Sequence, residues 1–437
     1  MSGASNVLIA QSGGPSPVIN ASLQGVIDAC RGDRWRFGRI LAGEHGIEGI
    51  LQEHLLDIDQ EDLQEVARLR YTPGAGAIGS CRYKLSEDNR EDFERLVAVM
   101  RAHDIGWFFY IGGNDSMDTA DKVNRLAAER GLDLRVVGVP KTIDNDVGDE
   151  RFDLVDHTPG YGSTARYWAM VTQIADEENR SMRPSESVVV LQAMGRRAGF
   201  IPAAARLADP QRRLPLQIYL SESGYNLPAM ADLVADELRT RGRCIVVVSE
   251  GFDVSAAGDL GATHDAFGHI EYGASRATVA QQVVNYLNDA GLPVRGNAVG
   301  QVPGVLQRST SVFASSVDRQ EAYRVGVHAV SLAQGGDSGV MAALQRRGGG
   351  LVADASYELR LGSVPLAEVA NLHGQMPREW IDPERPDVTD AFVRYARPLI
   401  GEDWPTMELE AGLQRFARFH RHRVTPVLAN YVPQNHR

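Results

Sequence analysis

The stretch of sequence that decides the fold is Val137-Gly-Val-Pro-Lys-Thr-Ile-Asp-Asn-Asp-Val147. Its apolar residues up to Pro140 are typical of a short buried strand, and the loop that follows carries one cation, one hydroxyl and two carboxylates. In an extended segment side chains alternate between two faces, so Thr142, Asp144 and Asp146 are expected on one face and the residues between them on the other. A carboxylate pair beside a cation suits proton abstraction and divalent-metal binding at an anionic substrate. The alternative is a solvated turn, because Asp and Asn favour turns through local hydrogen bonds.

Lysine usage favours the functional interpretation of this loop. Only three of the 45 basic residues are lysines, namely Lys84, Lys122 and Lys141. Where the chain needs a general surface cation it uses arginine. A lysine directly before Thr-Ile-Asp-Asn-Asp therefore indicates a need for a compact point charge on a flexible stem.

The bulk composition excludes several classes of protein. A chain of 437 residues predicts two to three domains with a sizeable core. The net charge of −12 argues against a nucleic-acid partner, and no apolar run reaches the roughly 18 to 20 residues of a membrane span. Cys30, Cys81 and Cys244 are scattered, which predicts neither a disulfide framework nor a zinc site. With no basic segment at the N-terminus, we expect a cytoplasmic protein without a signal peptide.

Strand and helix patterns alternate along the chain, which predicts doubly wound parallel sheets. The predicted strands are Asn6–Ala10, Arg39–Ala42, Gly106–Ile111, Leu134–Pro140, Ser187–Leu191 and Cys244–Ser249. The predicted helices are Val18–Cys30, Glu91–His103, Met117–Arg130, Ser163–Glu178 and Arg319–Ala333. The alternation begins again near residue 158, and residues 377–405, rich in Pro and Asp, are expected to wrap the surface.

Four loops, near residues 12, 80, 114 and 142, leave predicted strand ends and are rich in Gly, Asp, Asn or cations. The first matches neither a Walker A loop nor Gly-x-Gly-x-x-Gly, and alone it is equally compatible with a turn that binds nothing. Ligands of doubly wound sheets collect at the carboxyl ends of the strands. Together the four loops therefore predict one shared phosphate site.

With these residues in place, the chain resembles the phosphofructokinase family, and specifically its pyrophosphate-dependent branch, over about residues 6–330. The motifs that carry the resemblance are Gly112-Gly-Asn-Asp-Ser116, Pro140-Lys-Thr-Ile-Asp-Asn-Asp146, Met194-Gly-Arg196 and Glu250-Gly251. The resemblance implies an α/β protein with two doubly wound, mostly parallel sheet domains and the active site in the cleft between them. Residues 1–157 plus about 309–375 would form the phosphoryl-donor domain, and 158–308 plus about 376–437 the sugar-phosphate domain.

The reaction implied by the resemblance is a reversible, Mg²⁺-dependent phosphoryl transfer from pyrophosphate to the 1-hydroxyl of fructose 6-phosphate. Asp144 matches the general base, and Lys141, Thr142 and Arg196 accompany it as catalytic residues. The implied donor-binding residues are Gly14, Arg82, Asn114, Asp115 and Lys141. The implied sugar-phosphate residues are Thr142, Asp144, Met194, Gly195, Arg196, Glu250, Arg295 and Arg308. The implied metal ligands are Asn114, Asp115 and Asp146.

Differences between the motifs of this chain and those of the ATP-using relatives indicate which phosphoryl donor the chain uses. Those relatives carry Gly-Gly-Asp-Gly and Pro-Gly-Thr-Ile-Asp-Asn-Asp, whereas this chain has Asn114 and Asp115 in the first motif and Lys141 in the second. Two alternatives stay open, an ATP-dependent 6-phosphofructokinase and a non-catalytic regulatory subunit. Retention of Asp144 and Asp146 argues against the second. Because the family's sites often borrow residues from a neighbouring subunit, we expect a homodimer or homotetramer.

Overall fold

Two β-sheets organise the protein, whose computed structural model describes residues 4–85, 89–149, 151–257, 277–347, 357–370 and 372–437. The strands of the first sheet are β1 (Asn6–Gln11), β2 (Ile40–Gly43), β3 (Leu55–Asp57), β4 (Ile105–Gly112), β5 (Arg135–Pro140), β10 (Val340–Arg346) and β11 (Leu359–Pro365). The strands of the second sheet are β6 (Val188–Ala193), β7 (Leu216–Tyr219), β8 (Cys244–Ser249) and β9 (Ala298–Gln301). A short ribbon pairs β12 (Leu409–Glu410) with β13 (Leu413–Gln414).

The strand order of the first sheet is β11-β10-β5-β4-β1-β2-β3. Its five central strands are parallel, and the two edge strands, β11 and β3, pair antiparallel. The second sheet has the order β7-β8-β6-β9 and is parallel throughout. This confirms the predicted pair of doubly wound, mostly parallel sheets.

The α-helices that connect and flank the strands include the five predicted ones, which differ from the prediction by a few residues at their ends, and several that the sequence analysis did not predict. They are α1 (Ile19–Arg31), α2 (Ile47–Leu51), α3 (Leu63–Arg68), α4 (Arg90–Ala102), α5 (Asn114–Glu129), α6 (Tyr161–Met182), α7 (Phe200–Ala203), α8 (Leu227–Arg241), α9 (Val279–Ala290), α10 (Ser316–Gln334), α11 (Leu366–Val369) and α12 (Asp390–Ala396). None of the helices in the described ranges is long and apolar enough to cross a membrane.

Helices cover both faces of each sheet, which explains why the central strands read as continuous apolar runs. In β1, Val7 and Ile9 face α1 and α10, whereas Leu8 and Ala10 face α4 and α5. The helices α1 and α10 cross so closely that a Cβ added at Gly25 would collide with the carbonyl of Tyr323. The two faces are therefore packed independently, and the carboxyl ends of the strands are left for loops.

The region from 377 to 405 does not wrap the surface as predicted. Trp380, Phe392 and Tyr395 are fully buried in the core beside the second sheet, and the segment also contains the helix α12. The prediction was wrong because Pro and Asp residues dominate the local composition, while three separate aromatic side chains supply the core contacts.

The C-terminal residues also depart from the predicted domain division, which placed 376–437 entirely with the second sheet. The backbone N–H of Val424 donates to the carbonyl of Leu55 at 2.8 Å, next to β3 of the first sheet. Buried Glu53 accepts from the backbone N–H groups of Val427 and Leu428. The last part of the chain therefore packs on the first sheet. For the other segments the division stays a prediction.

Candidate active site

A cavity of about 180 Å³ lies where the carboxyl ends of both sheets meet. The loops after β1, β4 and β5 and the segment ending at Arg82 line it from the first sheet, which brings the four predicted loops together. The loops after β6, β8 and β9 line it from the second sheet. The lining residues from the first sheet's loops are Gly13, Gly14, Pro15, Arg82, Gly113, Asn114, Asp115, Ser116, Lys141, Thr142, Ile143, Asp144 and Asp146, and the others are Met194, Arg196, Glu250, Val305, Arg308 and His373.

The loop after β5 presents Thr142, Asp144 and Asp146 to the cavity, as the alternation of side chains predicted. The backbone that achieves this is a turn and not an extended segment, because Asn145 has a φ of 59°. Asn tolerates this left-handed region better than most residues. Ile143 also lines the cavity, so only Asn145 points fully away from it, into the protein.

Burial dominates the electrostatics of Asp144. It raises the pKa of that carboxyl above the ordinary value of 3.8, and the neighbouring carboxylate of Asp146 raises it further. The charges of Arg196 and Lys141 act in the opposite direction. A carboxylate that is ionised near neutral pH but binds a proton more readily than usual is suited to general-base catalysis.

Lys141 is buried, and its Nζ donates a hydrogen bond to the carbonyl oxygen of Gly14 at 2.6 Å. Burial lowers its pKa to about 8, and the charge of Asp144 partly opposes that shift. The ammonium is thus fixed between the loop after β1 and the loop after β5. Because about 8 is still above neutral pH, the group carries its positive charge there.

On the second sheet, Glu250 and Arg196 are connected through the backbone. The N–H of Arg196 donates to Glu250 Oε1 at 3.0 Å, and burial raises the pKa of Glu250 to about 7. Any side chain at position 251 would collide with the carbonyl of Arg196, so only glycine fits directly after Glu250.

Gln307 supports the same side of the cavity. Buried Gln307 accepts hydrogen bonds from the N–H of Met194 at 3.0 Å and from the indole N–H of Trp168 at 2.9 Å.

The guanidinium groups of Arg82 and Arg308 converge on Gly14. Burial lowers the pKa of Arg308, and the charge of Arg82 lowers it further. The Nε of Arg308 is buried without a hydrogen-bond acceptor among the residues that the structure describes. A buried donor next to a second cation is a favourable site for a phosphate oxygen.

The first sheet's cavity wall also offers oxygen ligands for a hard cation. Asn114 Oδ1 is buried and has no donor within the described part of the chain, while its Nδ2 donates to the carbonyl of Asp146 at 3.2 Å. Asp115 Oδ1 lies 3.8 Å from Lys84 Nζ. No cluster of three or more His, Cys, Asp or Glu that could hold a metal occurs in the described ranges. The donor set therefore fits Mg²⁺ with phosphate oxygens completing its shell, the usual way that this ion is bound.

Comparison with known proteins identifies the family. The phosphofructokinase family matches residues 6–333. The chain belongs to the phosphofructokinase family. A relative from Halomonas elongata, named pyrophosphate--fructose 6-phosphate 1-phosphotransferase, is 41% identical over 98% of this chain and 99% of its own. One of the same name from Methylococcus capsulatus is 41% identical over 92% and 93%. A crystal structure of a pyrophosphate-dependent phosphofructokinase from Nitrosospira multiformis matches with a TM-score of 0.86 and 37% identity, covering 98% of this chain and 100% of that one.

Most predicted site residues of this phosphofructokinase family member line the cavity, with two exceptions. Gly195 does not line it but lies between two residues that do, with a φ of 121°. Arg295 is exposed and precedes β9, so it lies at the amino end of a strand whose carboxyl end faces the cavity. The structure therefore does not bring Arg295 to the cavity of its own chain. The prediction had grouped Arg295 with Arg308 as sugar-phosphate residues, but β9 lies between them and places them at opposite ends of the strand.

Sequence reasoning missed His373 and Gln307. His373 Nδ1 lies 3.3 Å from Asn114 Nδ2 and 3.8 Å from Asp146 Oδ2, and the nearby carboxylate of Asp146 raises the pKa of His373. It follows α11 in a segment beyond the family match, and no sequence pattern marks it. Gln307 stands directly before Arg308, and this position next to a predicted site residue was the only signal in the sequence for its role.

Replacing Gly14 with alanine is expected to weaken phosphate binding, because the added methyl group collides with the Arg308 guanidinium and displaces it. Loss of a charge-assisted hydrogen bond predicts a decrease in affinity of about tenfold or more. Calorimetric titration with inorganic phosphate measures the change. Gly76→Ala is the control, since nothing lies within 4 Å of a Cβ at that position. Equal affinities in the two variants would contradict the role of Arg308.

Proposed function

We propose that this enzyme transfers a phosphoryl group from pyrophosphate to the 1-hydroxyl of fructose 6-phosphate, reversibly and with Mg²⁺. The observation that carries the proposal is the joint position of Asp144, Lys141 and Arg196 in one cavity between the two sheets. A base, a fixed ammonium and a guanidinium are the groups that phosphoryl transfer to a sugar phosphate requires. The names of the relatives at 41% identity support the same reaction.

In the proposed mechanism the first sheet holds the donor and the second holds the sugar phosphate. Asp144 accepts the proton of the 1-hydroxyl, whose oxygen forms a bond to the transferred phosphorus. The bond from that phosphorus to the bridging oxygen breaks, and inorganic phosphate leaves. Lys141 stabilises the negative charge that develops on the phosphates. Positioning and electrostatics supply most of the rate, because the protein forms no covalent intermediate.

The sugar-phosphate side is proposed to use Met194, Gly195, Arg196, Glu250 and Arg308. Arg308 and Arg196 would bind the 6-phosphate end, and Glu250 would contact a sugar hydroxyl. Asn114, Asp115 and Asp146 are the proposed ligands of Mg²⁺, which when bound neutralises charge on the donor phosphates. Free thiols at all three cysteines fit the expected cytoplasmic location.

Donor choice is proposed to depend on Asp115 and Lys141. Asp115 stands where ATP-using relatives have glycine, and a like charge about 4 Å from a nucleotide phosphate costs up to roughly 4 kcal/mol at an effective dielectric constant of 20. The Asp115 side chain is 24% exposed and lies near Lys84, so solvent and that cation reduce this cost. Pyrophosphate has no third phosphate and avoids the repulsion.

An assay of fructose 1,6-bisphosphate formation with each donor tests the function directly. The parent enzyme is expected to use pyrophosphate with Mg²⁺, to prefer it to ATP, and to lose activity when a chelator removes divalent cations. Asp115→Gly with Lys141→Gly should lose most activity with pyrophosphate and gain measurable activity with ATP. Asp115→Gly alone should admit ATP only poorly. A parent that prefers ATP would refute the proposed donor.

Asp144→Asn should lower kcat by about 10²- to 10⁴-fold, the usual effect of removing a general base. Binding of fructose 6-phosphate should change little. Asp144 is ionised, and can act as base, only when the pH exceeds its raised pKa. The parent's kcat/KM should therefore fall as the pH decreases, and this fall should begin at pH values well above the ordinary pKa range of an aspartate. The residual activity of Asp144→Asn should lack this dependence. Turnover close to that of the parent would show that another group is the base.

Arg295 is proposed to act on the 6-phosphate in a neighbouring subunit, which requires at least a homodimer. The support is its exposure at the far end of β9, outside the cavity of its own chain. Arg295→Ala and Asp144→Asn oligomers should each be impaired, and subunit exchange between them should restore activity, because a mixed oligomer contains one site with both residues. Unchanged activity after exchange, with mixed oligomers verified by mass spectrometry, would contradict this arrangement.

A further inference from the structure

Tyr395 lies more than sixty residues beyond the family match, which ends at residue 333, and yet it contacts the loop that carries Asp144 and Asp146. Its hydroxyl accepts a hydrogen bond from Asn145 Nδ2 at 2.8 Å and donates one to the backbone carbonyl of Asp156 at 2.7 Å. Tyr395 is fully buried, so water does not replace either partner. The hydroxyl therefore connects the back of this loop to the segment that leads into α6.

Asn145 is held at both ends of its amide. Its Oδ1 accepts from the backbone N–H of Thr158 at 3.0 Å, while its Nδ2 donates to Tyr395. Asn145 separates the two carboxylates, and its backbone has a φ of 59°, so a rotation here would change the separation and direction of both. Because Asp144 and Asp146 repel each other, the loop needs an external constraint to keep them facing one cavity.

The ring of Tyr395 cannot turn away from this contact. It packs against Trp380 with ring centroids 4.4 Å apart and against Phe152 at 5.4 Å. The Arg346 guanidinium lies 5.0 Å from the ring centroid and donates to the Asp156 carboxylate at 3.0 Å and 3.3 Å. The acceptor of the tyrosine hydroxyl is thus fixed by a second buried contact.

We propose that Tyr395 is a positioning residue for the reaction: through Asn145 it holds Asp144 and Asp146 in the geometry that phosphoryl transfer needs. The C-terminal part of the chain is then part of the catalytic apparatus and not only a covering of the second sheet. This inference rests on the proposed function, since Asp144 acts as base in that reaction.

The test replaces Tyr395 with phenylalanine, which keeps the packed ring and removes only the hydroxyl. The kcat is expected to fall at least about tenfold, the order of effect when a buried donor loses its acceptor. The KM values for fructose 6-phosphate and pyrophosphate should change much less than kcat, since Tyr395 makes no contact with Lys141, Arg196 or Arg308, the cations proposed to bind the phosphates. A kcat within twofold of the parent would overturn the proposal.

A second variant, Asn145→Gly, covers the case in which Tyr395→Phe does not fold. Glycine adopts the left-handed backbone conformation without strain, so this change removes only side-chain contacts, those of Asn145 with Tyr395 and with Thr158. It should lower kcat at least as much as Tyr395→Phe does, and the double variant should be no worse than Asn145→Gly alone. Multiplied effects in the double variant, or a normal kcat in Asn145→Gly, would overturn the coupling.

Tyr219→Phe is the matched control. Tyr219 is also fully buried, and its hydroxyl donates to Gln217 Oε1 at 2.7 Å in the second sheet, outside the cavity lining. Its kcat should equal that of the parent. If Tyr219→Phe lowers kcat as much as Tyr395→Phe does, the effect is general destabilisation and the proposal fails. A parent that prefers ATP would refute the proposed donor. Even then, the kcat of Tyr395→Phe divided by that of the parent, measured with whichever donor the enzyme uses, would still decide the role of Tyr395.

Discussion

Repulsion between two half-buried carboxylates, Asp144 and Asp146, is the constraint on which the surrounding structure depends. Only one residue separates them, and both line the same cavity. Unpaired charges of one sign are costly to bury, so the site must supply cations and a rigid backbone together. Lys141, Arg196 and Arg308 supply the positive charge, and the left-handed turn at Asn145 supplies the geometry.

The cations are restrained as strongly as the carboxylates. Lys141 is fixed by the carbonyl of Gly14, and Gly14 must lack a side chain because Arg308 occupies that space. Glu250 is tied to the backbone of Arg196, and Gln307 ties Met194 to the loop that carries Arg308. Few of these groups can move without displacing a neighbour. Such preorganisation is what electrostatic catalysis requires, because dipoles that are already oriented need no rearrangement during the reaction.

The sequence was informative where local pattern and local chemistry coincide. Apolar runs such as the one in β1 mark strands that are buried on both faces, and glycine and aspartate after β4 and β5 mark loops at the cavity. The sequence was uninformative where a side chain contacts residues that are distant from it along the chain. Tyr395, His373 and the tail beside Glu53 depend on contacts made hundreds of residues away, and no periodicity records such contacts. Arg295 shows a further limit, because residue type alone does not tell at which end of a strand a cation lies.

The tail that packs on the first sheet has a consequence for how the chain folds during synthesis. The first sheet contains β1 near the start of the chain but also β10 and β11, and Glu53 meets Val427 and Leu428 only near the end. The N-terminal strands therefore leave the ribosome long before their partners exist. At roughly 5 to 20 residues per second, they wait on the order of tens of seconds for the tail. During that interval the edge of β5 lacks β10 and its unpaired backbone groups are exposed, so chaperone demand should be greatest for the half of the protein that is made first.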